Sequence, residues 1–409
     1  TQSLSALGSA MTSYALVLWL YGESGSALYT AMLTITSYAP YVLLSIFAGA
    51  LCDRFDKKNT MLICDSIAAL CTVTVILLFA CNALQVWHLY IVNAIGGLMN
   101  TVQQPASEIA STALVPEKHY QKIGGLRYFS SSLSSILTPV IATAVYSFSG
   151  LEAVLTVDLL TFAVAFITLM FFIRIPKQSA ESAELSVIKS AKSGLDFLKS
   201  HKQVLMLIMY LSAINLVASM YEAVLPAMVL SRKGGGTQAL GAVSTCVGAA
   251  TLIGSIIATL MPKPKSRRRV ICLSLLFSMS TENFFLAFGQ TPLLWCTGAV
   301  LGWILIPMMS ANLDVIMRTK VPCHMQGRVY SARNTLQFFT IPLGNFLGGL
   351  AVDTFAEPLM AAMPHNSLMC NIFGSGKGSG AALIFFIIGI MGVAVCLIFN
   401  SNKHIKKIE

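Results

Sequence analysis

The chain has 409 residues, of which 56% are hydrophobic and only 11% charged, with a formal charge of +10 and a mean hydropathy of +0.73. A soluble domain carries about 25% charged residues, so the composition excludes an ordinary water-soluble globule. The basic residues flank apolar segments, which argues against a nucleic-acid surface and for orientation in a membrane.

Length is therefore counted in spans of about 20 residues. Twelve are predicted, over residues 1–20, 29–51, 60–81, 87–114, 123–148, 153–173, 203–230, 238–261, 270–288, 293–317, 328–355 and 381–399. Bundled helices are the expected state, because unpaired backbone groups are not tolerated in lipid. The chain opens at Thr1 already inside an apolar stretch, with no signal peptide in view, so a preceding native segment is expected. With the N-terminus inside, all basic residues but Arg232, Lys233 and Lys377 fall on the cytoplasmic side. That bias places both termini in the cytoplasm.

Between the second and third spans lies the charged turn Gly49-Ala-Leu-Cys-Asp-Arg-Phe-Asp-Lys-Lys58, with Asp53, Arg54, Lys57 and Lys58. Residues 29–51 before it carry no charge, and 60–81 after it carry only Asp65. Each charge in such a turn must stay at the water boundary. Asp65 is expected near the same cluster.

The fourth and fifth spans introduce a pattern that recurs. Glu108 lies eight residues before Pro116, and Arg127 lies eleven after it. In the second half, Asp314 lies eight before Pro322 and Arg333 eleven after it. Lys122 and Arg328 each follow their proline by six. The coincidence implies a duplicated six-helix unit with parallel repeats. Contacts Glu108–Arg127 and Asp314–Arg333, or exchange of these partners, are expected. Such pairs either neutralise buried charge or close a cytoplasmic gate.

Three regions follow: a six-helix bundle over 1–173, a cytoplasmic linker over 174–202, and a second six-helix bundle over 203–409. In the linker, Ile188, Gly194, Leu195 and Leu198 stand at helical spacing among lysines, the pattern of an amphipathic surface helix. A plain tether is the other reading.

Buried acids are the default functional candidates in a membrane. Glu222 leads, deep in the seventh span, beside Tyr221, with Asn215 two turns away and Pro226 following. It is read either as a binder of cations or protons, or as a structural acid near the outer boundary. Glu282 in the ninth span and Asp158 in the sixth are read as structural. The outer loop 356–380 either caps the outer mouth or is an uninvolved surface loop.

No enzyme constellation is expected: there are no catalytic residues, no phosphate-binding loop and no cofactor. The ten cysteines form no CxxC pair and the histidines lack ligand spacing, so no metal or disulfide framework is expected.

The turn Gly49–Lys58 resembles the signature between helices 2 and 3 of major facilitator superfamily transporters. Gln2-Ser-Leu, Gly25-Ser-Ala, Gln104-Pro-Ala, Leu114-Val-Pro-Glu, Val157-Asp-Leu-Leu and Gln326-Gly-Arg-Val extend the likeness along the chain. Together they resemble the macrolide-efflux and siderophore-exporter branch. Asn93 stands where many proton-coupled exporters have Arg. The fold implied is all-α, with twelve transmembrane helices in two six-helix bundles.

The resemblance implies that Asp53 sits at the start of helix 11, where free N–H groups favour an anion. Gly49 belongs to the same signature, and Arg54, Lys57 and Lys58 orient the loop. Tyr38, Tyr41 and Phe338 lie on helices that line the cavity in this fold, and they suit bulky amphipathic ligands. The implied function is export of amphipathic small molecules, macrolide-like or multidrug-like, across a bacterial cytoplasmic membrane by proton antiport. An importer or a lysolipid-moving facilitator is the alternative. The partners expected are a small substrate, protons and membrane lipid, with no nucleic acid, and a monomer is expected.

Overall fold

The computed structural model describes residues 2–54, 56–113, 120–173, 187–262, 264–322, 326–364 and 366–406. Within these, the side chains of 45–54, 105, 108–109, 111–113, 120–129, 187–192, 318, 326–328, 331 and 404 fall outside the description. The described residues are predominantly helical, with no strand among them.

The first unit is built from α1 (Gln2–Ser24), α2 (Ala27–Arg54), α3 (Lys57–Ala80), α4 (Val86–Ala113) and α5 (Tyr120–Ile167). A π-helical stretch, Thr168–Phe172, ends the last of these. The second contains α6 (Val187–Ser200), α7 (Lys202–Ser231), α8 (Thr237–Leu260), α9 (Arg267–Phe288) and α10 (Pro292–Trp303). Then come α11 (Ile306–Lys320), α12 (Gln326–Phe338), α13 (Thr340–Leu350), a π-turn at Ala351–Ala356, α14 (Glu357–Ala361), α15 (Leu368–Phe373), α16 (Ser379–Ser401) and α17 (Lys403–Lys406).

Among the described residues, ten helical stretches are long and apolar enough to span a membrane. One, Ser130–Phe172, runs 43 residues, long enough for two spans of about 20 residues. It turns at Gly150, whose φ of 75° only glycine adopts without strain. The fifth and sixth predicted spans are thus joined with almost no loop. Helix α4 is less apolar, because Asn93, Asn100, Gln103 and Gln104 punctuate it. Counting α4 and both parts of Ser130–Phe172, the described helices accommodate the twelve spans predicted from the sequence.

Proline explains the broken spans. Pro307 lacks the N–H that would reach the Trp303 carbonyl, and the chain turns at 304–305 between α10 and α11. Pro342 stands in the same relation to Phe338, and the helix is interrupted at Phe339 between α12 and α13.

Contacts divide the chain into two compact units. One comprises Thr1–Leu20 and Leu33–Ala191; the other comprises Tyr21–Met32 and Lys192–Glu409. The end of α1 and the start of α2 therefore belong with the second unit. The first unit is centred on Met11, Leu16, Leu20, Val75, Leu89 and Leu155. In the second, α7 is the central helix: 61% of its apolar window is buried, against 17% for α3. A helix apolar all round belongs inside. Large side chains such as Leu70, Leu77, Leu160, Ile256, Leu260 and Leu293 point outward, as a lipid-facing surface requires. Helix α6 buries Gly194 and Leu198 and exposes Leu195 and Lys199.

Candidate functional site

Within the second unit, α7, α9, α10, α11, α13 and α16 enclose a cavity of about 220 Å³. Its wall is mainly apolar, with Met279, Ile306, Met309 and Ile388 among the lining residues. Glu222 lies on that wall with an accessible side chain, while its neighbours Tyr221 and Ala223 are buried. Among the described residues it has no hydrogen bond and no ion pair. Pro226, four residues on, cannot donate to the Glu222 carbonyl, so this point of α7 also carries a freed backbone acceptor.

A second acid shares the cavity. Glu282 of α9 is 4% exposed and accepts a hydrogen bond from Trp303 Nε1 at 2.8 Å. Trp303 is delivered by the break between α10 and α11. The Tyr221 hydroxyl faces Glu282 without hydrogen-bond geometry, and the Asn283 Oδ1 is also unsatisfied. Asn215 Nδ2 donates to the Gln337 carbonyl at 3.2 Å. Two hydroxyls strengthen that seam: Ser212 Oγ donates to the Leu336 carbonyl, and Thr340 Oγ1 to the Ser212 carbonyl. Interrupted helices thus line a polar spot inside an apolar cavity, which is where irregular backbone is tolerated at membrane depth.

Glu222, Tyr221 and Asn215, singled out in the sequence, line the same cavity. Tyr38, Tyr41 and Phe338 do not line this cavity. Tyr38 is exposed, and Tyr41 and Phe338 are half-buried. Glu282 was expected to make a structural hydrogen bond on a helix away from the site. It makes the bond, yet stands on the same wall as Glu222. The sequence signal for it was a lone acid in an otherwise uncharged span; its partner Trp303 could not be read.

Of the gating candidates, Gly49, Asp53, Arg54, Glu108 and Arg127 have side chains outside the described residues. Lys57 is half-buried at the start of α3. Lys58 Nζ donates to the carbonyls of Met170 and Ile173 at 2.9 and 2.8 Å. A cation there satisfies terminal carbonyls and the negative helix end. Asp56 caps α3, accepting from the Asn59 amide at 2.9 Å.

Asp65 accepts from Gln103 Nε2 at 2.5 Å and from Gln2 Nε2 at 3.3 Å; the Asp53 and Arg54 side chains, near which it was expected, lie outside the described residues. Asp65 lies just over two helix turns into α3, and its side chain meets α1 and α4. It lines a polar cavity of about 280 Å³ with Asp158. Asp158 accepts from the hydroxyls of Ser9, Thr12 and Thr72. Among the described residues Asp314 and Arg333 make no direct ion pair, and the alternative, exchange with Glu108 and Arg127, falls on side chains outside them. The Asp314 and Arg333 charges interact at longer range, while Arg333 Nε donates to Gln337 Oε1 at 3.1 Å, one turn along its own helix.

Arg232, just beyond α7, ties the outer loop down. It donates to the Gly289 carbonyl at 2.6 Å and to the Phe373 carbonyl. Burial pushes its pKa down and the Glu357 carboxylate opposes this, so the guanidinium stays charged. The loop 356–380 is thus packed by Arg232 and by Phe373 stacking on Phe288.

The family model described as Major Facilitator Superfamily matches residues 1–345. The chain belongs to the major facilitator superfamily. Macrolide efflux protein A of Streptococcus pyogenes is 25% identical to this facilitator over 357 residues, covering 86% of this chain and 87% of its own. Multidrug efflux pump Tap of Mycolicibacterium fortuitum is 23% identical over 361 residues, covering 85% and 86%. Among solved structures, a mutant of the nucleoside transporter NupG matches with a TM-score of 0.71 at 14% identity, covering 98% of this chain and 96% of its own. A bacterial homologue of the iron transporter ferroportin, in an inward-facing state, matches at 0.68 and 12% identity, covering 98% and 97%. These likenesses establish the fold. The facilitator is a multi-pass protein of the cell membrane.

Proposed function

We propose that this facilitator exports amphipathic small molecules across the cytoplasmic membrane by alternating access, coupled to proton antiport, and acts as a monomer. The observation that carries the reading is Glu222, an accessible carboxylate with no hydrogen bond or ion pair among the described residues, on a mainly apolar cavity wall. An unpaired carboxylate at membrane depth is costly and is retained where it binds something. Tyr221, Asn215, Glu282 and Trp303 supply polar and aromatic groups beside it. Met279 and Met309 give that wall adaptable surface for bulky ligands. Efflux proteins among the relatives favour export over import. The charged turn with Gly49, Asp53, Arg54, Lys57 and Lys58, together with the Glu108/Arg127 and Asp314/Arg333 sets, serves as the cytoplasmic gate in this proposal.

The test is flux in proteoliposomes, with and without an imposed proton gradient, for the parent and Glu222→Gln. The substrates are a macrolide, a lipophilic cation and a lysolipid. Gradient-driven flux of the macrolide or cation that falls at least tenfold in Glu222→Gln is expected. Flux that ignores the gradient and is equal in the variant removes the coupling and the role of Glu222. Flux of the lysolipid alone replaces export with lipid movement.

A further inference from the structure

The outer start of α2 is capped by a residue that is 325 positions away in sequence. A helix begins with amides that have no partner in their own helix. Here the Ala27 amide donates to Asp353 Oδ1 at 3.1 Å and the Leu28 amide to Asp353 Oδ2 at 2.9 Å. Ser26 Oγ donates to the same carboxylate at 2.5 Å and accepts from the Tyr29 amide at 3.2 Å. One carboxylate therefore takes three hydrogen bonds at the positive end of a 28-residue helix. One turn before it, the Tyr21 hydroxyl donates to the Ala227 carbonyl at 3.0 Å and bonds Ser231 Oγ at 2.6 Å. These contacts are why Tyr21–Met32 clusters with the second unit.

The segment is nevertheless continuous at Leu20 and at Leu33 with helices of the first unit. Movement of those helices away from the second unit therefore pulls directly on these bonds. We propose that Asp353 is the outer latch of the transport cycle: its carboxylate holds the α2 N-terminus while the outer side is shut and releases it when that side opens. The setting suits a contact that breaks and reforms. Asp353 is half-buried and borders an accessible cavity of about 470 Å³ with Ser24, Gly25 and Lys377 on its wall. Water can therefore replace the bonds as they part. The residue sits in the π-turn Ala351–Ala356, whose extra residue re-aims side chains. Gly349 fits against the Leu28 backbone so closely that a Cβ there has no room.

The residue that follows the π-turn, Glu357 at the start of α14, offers an internal control. Glu357 Oε1 accepts from the Gly378 and Ala381 amides at 3.0 and 3.1 Å, around the start of α16. That helix lies wholly within the second unit. Glu357 is thus a static cap beside a releasable one.

The inference uses the alternating-access reading for its consequence, but its test needs no substrate. Amide hydrogen exchange is measured by mass spectrometry on the full chain in lipid nanodiscs. In Asp353→Ala, peptides covering 27–34 are expected to exchange at least tenfold faster, with α16 unchanged. Gly349→Val, which wedges α13 from α2 and leaves the carboxylate intact, is expected to act in the same direction. Glu357→Ala is expected to give the reverse pattern, loosening α16 and sparing 27–34. Unchanged protection of 27–34 in both Asp353→Ala and Gly349→Val overturns the latch. Protection lost in α16 together with 27–34 also overturns it, because Asp353 would then be general support for the unit. Failure of the export reading would instead appear as absent flux, with the exchange pattern intact.

Discussion

Inside the cavity, the half-buried Trp303 donates a hydrogen bond to the buried acid Glu282 at 2.8 Å. Removing the donor leaves a buried carboxyl with nothing to accept from, which costs about 1–3 kcal/mol. Trp303→Phe is therefore expected to lower the thermal midpoint in detergent. Replacing both partners with apolar groups, as in Glu282→Leu with Trp303→Phe, is expected to recover most of the loss. A midpoint unchanged in the single variant would mean the bond carries no stability. Asp158 shows the opposite solution to the same problem: three hydroxyls around one acid, supplied by Ser9, Thr12 and Thr72. The sequence marked each of these acids as out of place in an apolar span. It did not reveal their partners, because hydroxyls and indoles are common in membrane helices and carry no signature of which one turns inward.

At the scale of the element, three prolines shape the cavity. Pro226, Pro307 and Pro342 each free the carbonyl four residues earlier, those of Glu222, Trp303 and Phe338. The first of these was legible in the sequence as a Glu-Pro spacing. The others read only as ordinary spans, because a 3.6-residue pattern does not show where a helix pauses. Close packing fixes the rest. Gly344 and Gly348 of α13 lie on the backbone of α7 at Leu216 and Met220. Small residues at that spacing let helices approach within lipid. A Val at Gly348 has to displace the Met220 backbone, and overpacking of this kind costs about 1–3 kcal/mol. Gly348→Val is thus expected to lower the thermal midpoint clearly. Gly96→Ala, at a helical position with open space around it, is expected to leave it unchanged or slightly raised. Equal effects from the two would show that the α7–α13 seam is not tightly packed.

For the whole molecule, orientation is the property with the most immediate test. Lys377 stands exposed in the outer loop, and Lys403 stands exposed after α16. A membrane-impermeant amine reagent added to intact cells is expected to modify Lys377 and spare Lys403; after permeabilisation it reaches both. Labelling of Lys403 from outside would invert the topology.

Amino-acid sequence alone indicated that this chain lives in a membrane and to which superfamily it belongs, and it predicts how many times the chain crosses and which way it faces. Those properties are sums over local residues: hydropathy sets each crossing, and Lys and Arg set the orientation loop by loop. Only the tertiary structure decided which groups meet. It placed Glu282 beside Glu222, gave Asp65 to Gln2 and Gln103, set Lys58 on the end of α5's π-turn, and laid Asp353 on the start of α2. The reason is rotational. A helix apolar on most of its circumference has no single buried face written in its periodicity. Its turn about its own axis is fixed by the few small residues, prolines and polar pairs that find each other only after the helices pack.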